Sequence, residues 1–454
     1  MSYISFDPWR QVQVAEIPVM SDGQLEEISV RAGDAFRVWR TVPAEERCRP
    51  LAVMAELLHR YSGDLATVIS SEMGKPVTQG VAEVEKCATL CRWYAAHAPL
   101  LLEPEKRTSS ARTSLVVREP QGTILGIMPW NFPFWQVFRF IVPAFAGGNA
   151  ALLKHASSVP RCALEIEKIV REAGFPDGLF RTIFPSHSQV ERLIADSRIR
   201  GVSLTGSTAA GRRIASVAGT HLKKMVMELG GSDPFIVFPD ADMDGAVKAA
   251  VFSRFQNGGQ SCIAAKRIIV HKDVYSEFRE KFVSAVKALR TGDPLDPLTD
   301  VGPMVNVAAA DELERQLEET LKAGARLHCG GRAGREHPAL FLPAVIDGIV
   351  PDSPLACEET FGPAAPLLKF SEADEAVSLA NNTPYGLGAT VWTTDENTAM
   401  SMARAIDTGT VAVNGFVKSE PGLPFGGVKE SGYGRELAGE GLYEFLNTKT
   451  ISIF

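Results

Sequence analysis

The stretch FQNGGQSCIAAKR, residues 255–267, sets one cysteine, Cys262, among glycines and amide side chains and ahead of a short basic pair. By residue type alone such a cysteine is a small buried hydrophobe, a metal ligand or a nucleophile. Asn257-Gly258-Gly259-Gln260-Ser261 offer backbone amides and little bulk, and Ile263-Ala264-Ala265 follow as in a loop entering a regular element. A sulfur so placed can be reached by a substrate, and its own backbone N–H can help hold an oxyanion. A nucleophilic thiol must ionise from an ordinary pKa of about 8.5, so it calls for a base or a positive potential nearby.

Two other polar residues end apolar strands. Glu228, in MVMELGGSDPF, is either a strand terminus at the surface or a base serving a pocket, with Gly230 and Gly231 turning the backbone behind it. Asn131, in PWNF, is either a turn former or an amide donor to a developing oxyanion. SLTGSTAAG, residues 203–211, closes a strand and opens a helix with small residues, a geometry that caps a helix or cradles a phosphate through Gly206 and Ser207. No G-x-S-x-G elbow and no Walker loop occurs, and none of the eight histidines falls in these segments, so a Cys–His protease pair has little support.

With 454 residues the chain exceeds the size at which a single core stops growing, so two or more domains are expected. Its 47 basic and 54 acidic residues leave a net charge of −7, and no basic run suggests a nucleic-acid partner. Neither an N-terminal leader pattern nor a membrane-length apolar run is present, so the expected location is the cytoplasm. Seven cysteines without a CxxC pair suit a reducing compartment, and Cys87 and Cys91, four apart in EVEKCATLCRWY, read as packed thiols; no metal is expected.

These residues need a scaffold. The spacing predicts helices over 21–105, starting at an N-cap Ser21, and then a hairpin or extended arm near 108–128. Strands ILGIM, ALLK, GVSLT and KKMVMEL alternate with helices, and a second alternating set, DPFIVF to TVAVNG, follows Gly231 and carries Cys262. The fold class is therefore α/β with doubly wound sheets, and the working site is expected between two α/β domains.

PWNFP, KHAS, LTGSTAAG, MELGGSDP, FQNGGQSC, EETFGP and PFGGVKESGYGRE, in this order, resemble the aldehyde dehydrogenase superfamily across nearly the entire chain, most of all its short bacterial succinate-semialdehyde branch. The resemblance implies a Rossmann-like cofactor domain (1–108 and 128–230), a catalytic domain (231–435) and an oligomerisation arm (109–127 and 436–454) that pairs across the subunits of a homodimer or tetramer. It implies that Cys262 attacks the aldehyde carbon, that Asn131 and the Cys262 N–H hold the alkoxide, and that Glu228 activates the water that hydrolyses the thioester. Cofactor contacts would come from Lys154 and Ser157 at the adenosine ribose, Gly206 and Ser207 at the pyrophosphate, and Glu359 and Phe361 at the nicotinamide ribose. Pro129, Trp130, Leu229 and Gly230 would complete that site. Many NAD-preferring members carry Glu where this chain has Ser157; without that charge NADP is expected as the preferred cofactor, with NAD also accepted.

For the substrate, Arg139 stands where the resemblance puts a carboxylate-binding arginine, and Ser419 resembles its hydroxyl partner. Gln256 and Ala264 depart from some members of that branch, which have a second arginine and a second cysteine there. The expected reaction is oxidation of succinate semialdehyde or a similar ω-carboxy aldehyde. Competing readings are a broad aliphatic or aromatic aldehyde dehydrogenase, a non-redox cysteine hydrolase or acyl-transferase, and a non-catalytic binding protein.

Overall fold

The computed structural model describes residues 2–350 and 352–454. A hairpin of Ser2–Asp7 and Val12–Pro18 opens the chain, followed by four helices, Asp22–Trp39, Ala44–Arg60, Ser62–Met73 and Val77–Leu101. The first starts where expected. Ser21 accepts from the Gln24 N–H at 3.3 Å while the Gln24 side chain accepts from the Ser21 N–H at 2.8 Å, a reciprocal cap of two otherwise unpaired donors. The opening hairpin was not foreseen, because neither strand is apolar enough to stand out.

A six-stranded sheet runs Gly432–Tyr433, Lys224–Glu228, Ile199–Thr205, Thr123–Met128, Ala150–His155, Phe180–Thr182, parallel except at its first pair. Strand order reverses at Thr123–Met128, whose neighbours are the next strand in sequence and a later one. The carboxyl ends of Thr123–Met128 and Ile199–Thr205 thus diverge around a crevice, the usual ligand position of such sheets. Residues 123–127, given to the arm on sequence grounds, are instead the middle of this sheet, because Thr123, Ile124 and Leu125 are fully buried or nearly so.

A seven-stranded sheet runs Arg326–Arg332, Phe341–Asp347, Ala364–Phe370, Ala265–His271, Asp233–Val237, Gly388–Trp392, Thr410–Val413. Its strand Asp233–Val237 follows Glu228 after four residues, so the carboxyl end of one sheet faces the amino end of the other. Arg326–Arg332 and the helices Ala373–Asn381 and Glu396–Ala405 escaped the sequence reading.

In a third, three-stranded sheet, Leu446–Ile453 pairs antiparallel along all of Thr113–Pro120, with Glu105–Arg107 on the far side. The two arm segments expected to pair across subunits pair here with each other, and Leu446–Ile453 keeps one open edge. Among the described residues no helix is long and apolar enough to cross a membrane.

One helix holds the floor of the site in place. Trp135–Gly147 is buried at every position, packed on Val77–Leu101, so it cannot shift without opening the core. Its first free donors, Phe134 N–H and Trp135 N–H, donate to Glu83 Oε1 at 2.8 and 3.0 Å, and Glu83 is paired with the buried Lys75.

Candidate active site

Cys262 ends a loop that holds three successive left-handed residues, Asn257, Gly258 and Gly259, with φ of 55°, 61° and 70°. At Gly259 a side chain is also excluded by contact, since a Cβ would sit 2.5 Å from the Gly362 carbonyl oxygen. Asn257, the one member with a Cβ, is held by its amide, which donates to the carbonyls of Asn131 at 2.8 Å and Gln260 at 3.1 Å. Lys266 sits beneath. Its ammonium donates to the Gly231 carbonyl at 2.6 Å and the Cys262 carbonyl at 3.4 Å and pairs with Glu359 Oε1 at 2.5 Å.

Gly231 passes so close to the Cys262 loop that a Cβ there would lie 2.4 Å from the Cys262 carbonyl oxygen. The backbone of one sheet's exit therefore fixes the height of the sulfur. Gly231→Ala is expected to displace Cys262 and to lower kcat/KM about 100-fold, the order seen when reacting atoms move by about 1 Å. Steady-state kinetics beside a melting curve would check it; unchanged kcat/KM would mean the loop tolerates the shift.

Asn131 follows the strand Thr123–Met128 and is buried. Its Nδ2 donates to the Gln260 carbonyl at 2.9 Å, and its Oδ1 accepts from Gln136 Nε2 at 3.0 Å. These two bonds fix the amide plane and leave one N–H uncommitted, as an oxyanion donor requires.

Burial dominates the titration of Cys262. It pushes the thiol up to about 12, against the pull of Arg139 and Lys266, and the carboxyls of Glu228 and Asp233 push the same way. In this setting the neutral thiol is the favoured form. Glu228 is likewise held well above the usual carboxyl range, by burial first and by Glu436 second, with Arg139 and Arg435 opposing. Its carboxyl packs toward Gly426, where a Cβ would meet Oε1 at 2.9 Å, and both of its oxygens lack a hydrogen-bond partner. Glu228 lines neither of the cavities described next. To act on a bond at Cys262 its side chain must rotate, a requirement the sequence did not reveal.

Two cavities meet at the sulfur. One, of about 290 Å³, opens at the crevice of the six-stranded sheet and is walled by Pro129, Trp130, Asn131, Gly206, Ser207, Leu229, Gly230, Glu359 and Phe361. The other, of about 620 Å³, is a funnel walled by Phe132, Trp135, Arg139, Phe252, Gln256, Phe416, Ser419 and Phe425. Cys262 and Gln136 are the residues that line both. A sulfur on the partition between two cavities can hold a compound from one side while the other side receives what that compound loses.

The sequence profile of the aldehyde dehydrogenase family matches residues 2–451. The chain belongs to the aldehyde dehydrogenase family. The probable succinate-semialdehyde dehydrogenase (NADP(+)) of Synechocystis sp. is 45% identical over 422 residues, covering 93% of each chain. The succinate-semialdehyde dehydrogenase (NADP(+)) 1 of Mycobacterium tuberculosis is 43% identical across the whole of both chains. Among solved structures, succinic semialdehyde dehydrogenase from Streptococcus pyogenes in complex with NADP+ as the cofactor matches with a TM-score of 0.97 at 37% identity, over 99% of each chain.

Within this aldehyde dehydrogenase the remaining sequence candidates fall into three groups. Ser207 caps the helix Thr208–Thr220, accepting from the Ala210 N–H at 3.3 Å, beside Gly206 at the crevice. Lys154, at the end of Ala150–His155, is half-buried, has no carboxylate within ion-pair reach among the described residues, and is pushed down by desolvation; Ser157 nearby is exposed. Glu359 is half-committed, since Lys266 and the Gly231 N–H both use its Oε1, at 2.5 and 3.0 Å, while its Oε2 lies over Gly230. Phe361 meets Trp130 edge-on, ring centroids 5.7 Å apart.

Arg139 alters the sequence expectation. It lies on the funnel wall, but its Nε is 2.8 Å from Glu436 Oε2, both side chains are buried, and the guanidinium stacks on Phe425 at 4.7 Å. Its charge is already matched. Lys86, Lys266, Gln136 and Glu436 were not among the sequence candidates, although Lys266 and Glu436 stand within the quoted stretches FQNGGQSCIAAKR and PFGGVKESGYGRE.

Proposed function

We propose that this aldehyde dehydrogenase oxidises succinate semialdehyde, or a similar aldehyde with a carboxylate at its far end, to the dicarboxylic acid with NADP as electron acceptor. The observation that carries the reading is the position of Cys262 on the partition between a dinucleotide-shaped crevice and an aromatic funnel that contains polar anchors. The relatives named above support the choice of aldehyde and cofactor.

The crevice suits a dinucleotide on its own chemistry. Free N–H groups at the start of Thr208–Thr220 favour a phosphate, an unmatched Lys154 favours an anion at the ribose end, and the run His155–Ser158 carries no acid to repel one. When bound, NADP would supply the acceptor for the two electrons and the hydrogen that leave the aldehyde carbon.

The protein's own residues do the rest. Cys262 Sγ gives its proton to water in the cavity and bonds to the aldehyde carbon, and the oxygen that becomes negative is held by the spare Asn131 N–H and the Cys262 N–H. Gln136 keeps the Asn131 amide from flipping. Glu228, which ionises once it rotates out of its buried position toward the sulfur, takes a proton from the water that cleaves the acyl–sulfur bond.

Initial rates on succinic semialdehyde and on butanal, each with NADP and NAD, test the reading. A higher kcat/KM for succinic semialdehyde is expected; equal values would favour a broad aldehyde dehydrogenase, a reading that the five aromatic side chains of the funnel also support. For the cofactor, Ser157→Glu sets a negative charge against a 2′-phosphate, and kcat/KM for NADP should fall about 10- to 100-fold with NAD far less affected. An unchanged NADP to NAD ratio would remove Ser157 from cofactor choice.

The open edge of Leu446–Ile453, with Ile451 and Ile453 about two-fifths exposed, supports a homodimer that could assemble further into a tetramer. Seven free cysteines support a cytoplasmic setting.

A further inference from the structure

A group of buried charges lies behind the Cys262 loop, and none of its members lines the funnel. Lys266 and Arg267, adjacent on the strand Ala265–His271, are both buried, as is Asp233 on the strand paired with it. Arg267 commits its guanidinium to the carbonyls of Ser232, Leu379 and Ala380. Asp233 Oδ1 accepts from the Gly388 N–H at 3.0 Å, and its Oδ2 has no partner among the described residues. Burial pushes this carboxyl up to about 7, against Lys266 and Arg267, so near neutral pH it offsets the two cations only in part. Two cations at consecutive buried positions of a strand are costly to keep unless they serve something nearby.

Lys266 uses all three of its N–H donors, on the Gly231 carbonyl, the Cys262 carbonyl and Glu359 Oε1. Its ammonium is thus held against the backbone of Cys262 itself. Burial first raises the pKa of the sulfur; of the charged groups that face it, Arg139 and Lys266 lower it, and Glu228 and Asp233 raise it. The two cations differ in their counter-ions. Arg139 is bonded to the buried Glu436, whereas Glu359 is about one-fifth exposed and lines the dinucleotide-shaped crevice. How much of the Lys266 charge reaches the sulfur depends on how fully Glu359 balances it.

We propose that Lys266 is a positioning residue for the nucleophile, one that fixes the Cys262 backbone and favours the thiolate, and that Glu359 sets the strength of this effect by balancing the Lys266 charge. The proposal rests on the role given to Cys262 above. It gives opposite signs to two changes that remove charge. Lys266→Gln keeps an N–H donor behind the loop and loses the cation, while Glu359→Gln keeps an oxygen acceptor for Lys266 and loses the anion.

The test is the rate at which iodoacetamide alkylates Cys262 in the full chain without substrate or dinucleotide. Mass spectrometry of the Cys262 peptide reads it, because Cys357 is exposed and reacts as well. Below the midpoint of thiol ionisation this rate follows the thiolate fraction. From about pH 6 to about pH 9, Lys266→Gln should slow it about 10-fold and Glu359→Gln should speed it about 3- to 10-fold. In the double variant Glu359→Gln should add little, since the charge it would release is gone. An unchanged rate in Lys266→Gln overturns the proposal. So does slowing or no change in Glu359→Gln, the result a purely structural pin would give, and so does full speeding by Glu359→Gln when Lys266 is absent. Should Lys266→Gln fold poorly, Glu359→Gln decides alone, because Lys266 keeps its three bonds there. No aldehyde is present in this assay, so each of these failures leaves the proposed oxidation standing, whereas loss of that reading would show in turnover and not in the alkylation rates.

Discussion

Cys262→Ala is expected to lower aldehyde-dependent reduction of NADP by about four orders of magnitude or more, the scale at which a covalent route is lost. Alanine removes one sulfur from a half-buried site and leaves the three left-handed residues and the Lys266 bonds in place. The melting temperature should hardly move, which separates lost chemistry from lost fold. Absorbance at 340 nm reads the first and calorimetry the second. Turnover within tenfold of wild type would mean that Cys262 forms no bond to substrate, and the dehydrogenase reading would fail at its centre.

Glu228→Gln should produce a different failure. With the acyl group on sulfur and no base to activate water, one equivalent of reduced dinucleotide per site should appear in a burst, followed by a steady rate lower by about 10²- to 10⁴-fold. A rapid-mixing trace checks it; a slow rate without a burst would place Glu228 before the acyl intermediate instead. The variant also has a stability signature. Glu228 is held well above the usual carboxyl range, so its neutral form is the one the fold favours. That contribution is whole below the ordinary carboxyl pKa and is lost as pH rises through the elevated folded value. Wild type should therefore lose stability more steeply than Glu228→Gln, which cannot ionise, as pH rises from below the ordinary carboxyl pKa, in melts run across that rise.

Residues were legible in the sequence where local chemistry carried them. Cys262 stood out because Asn257-Gly258-Gly259 offer backbone amides and little bulk beside it, and the structure adds that all three have positive φ. Asn131 and Gly206 ended apolar strands, where a polar or flexible residue needs a reason, and both line the crevice. What stayed hidden depends on partners far away in the chain. Lys86 meets Ser419 across 333 positions, and within EVEKCATLCRWY nothing distinguishes it from a solvated lysine. Arg139 was legible as an arginine at the funnel but not as the partner of Glu436, because an ion pair between residues 297 apart leaves no pattern in either segment. The arm boundary failed for another reason. Thr113–Pro120 and Thr123–Met128 are both β-branched and apolar, so composition could not tell an edge strand from a central one.

The bonds made by Lys266 run to the sulfur loop, to the turn after Glu228 and to Glu359, whereas the outer funnel is built from the helix Val77–Leu101 and the loop 416–425. Reactivity and taste are therefore written on separate parts of the molecule. Changes to the mouth can retune which aldehydes are admitted while the bond-making machinery keeps its alignment, so a redesigned entrance is the natural route to new substrates on this scaffold.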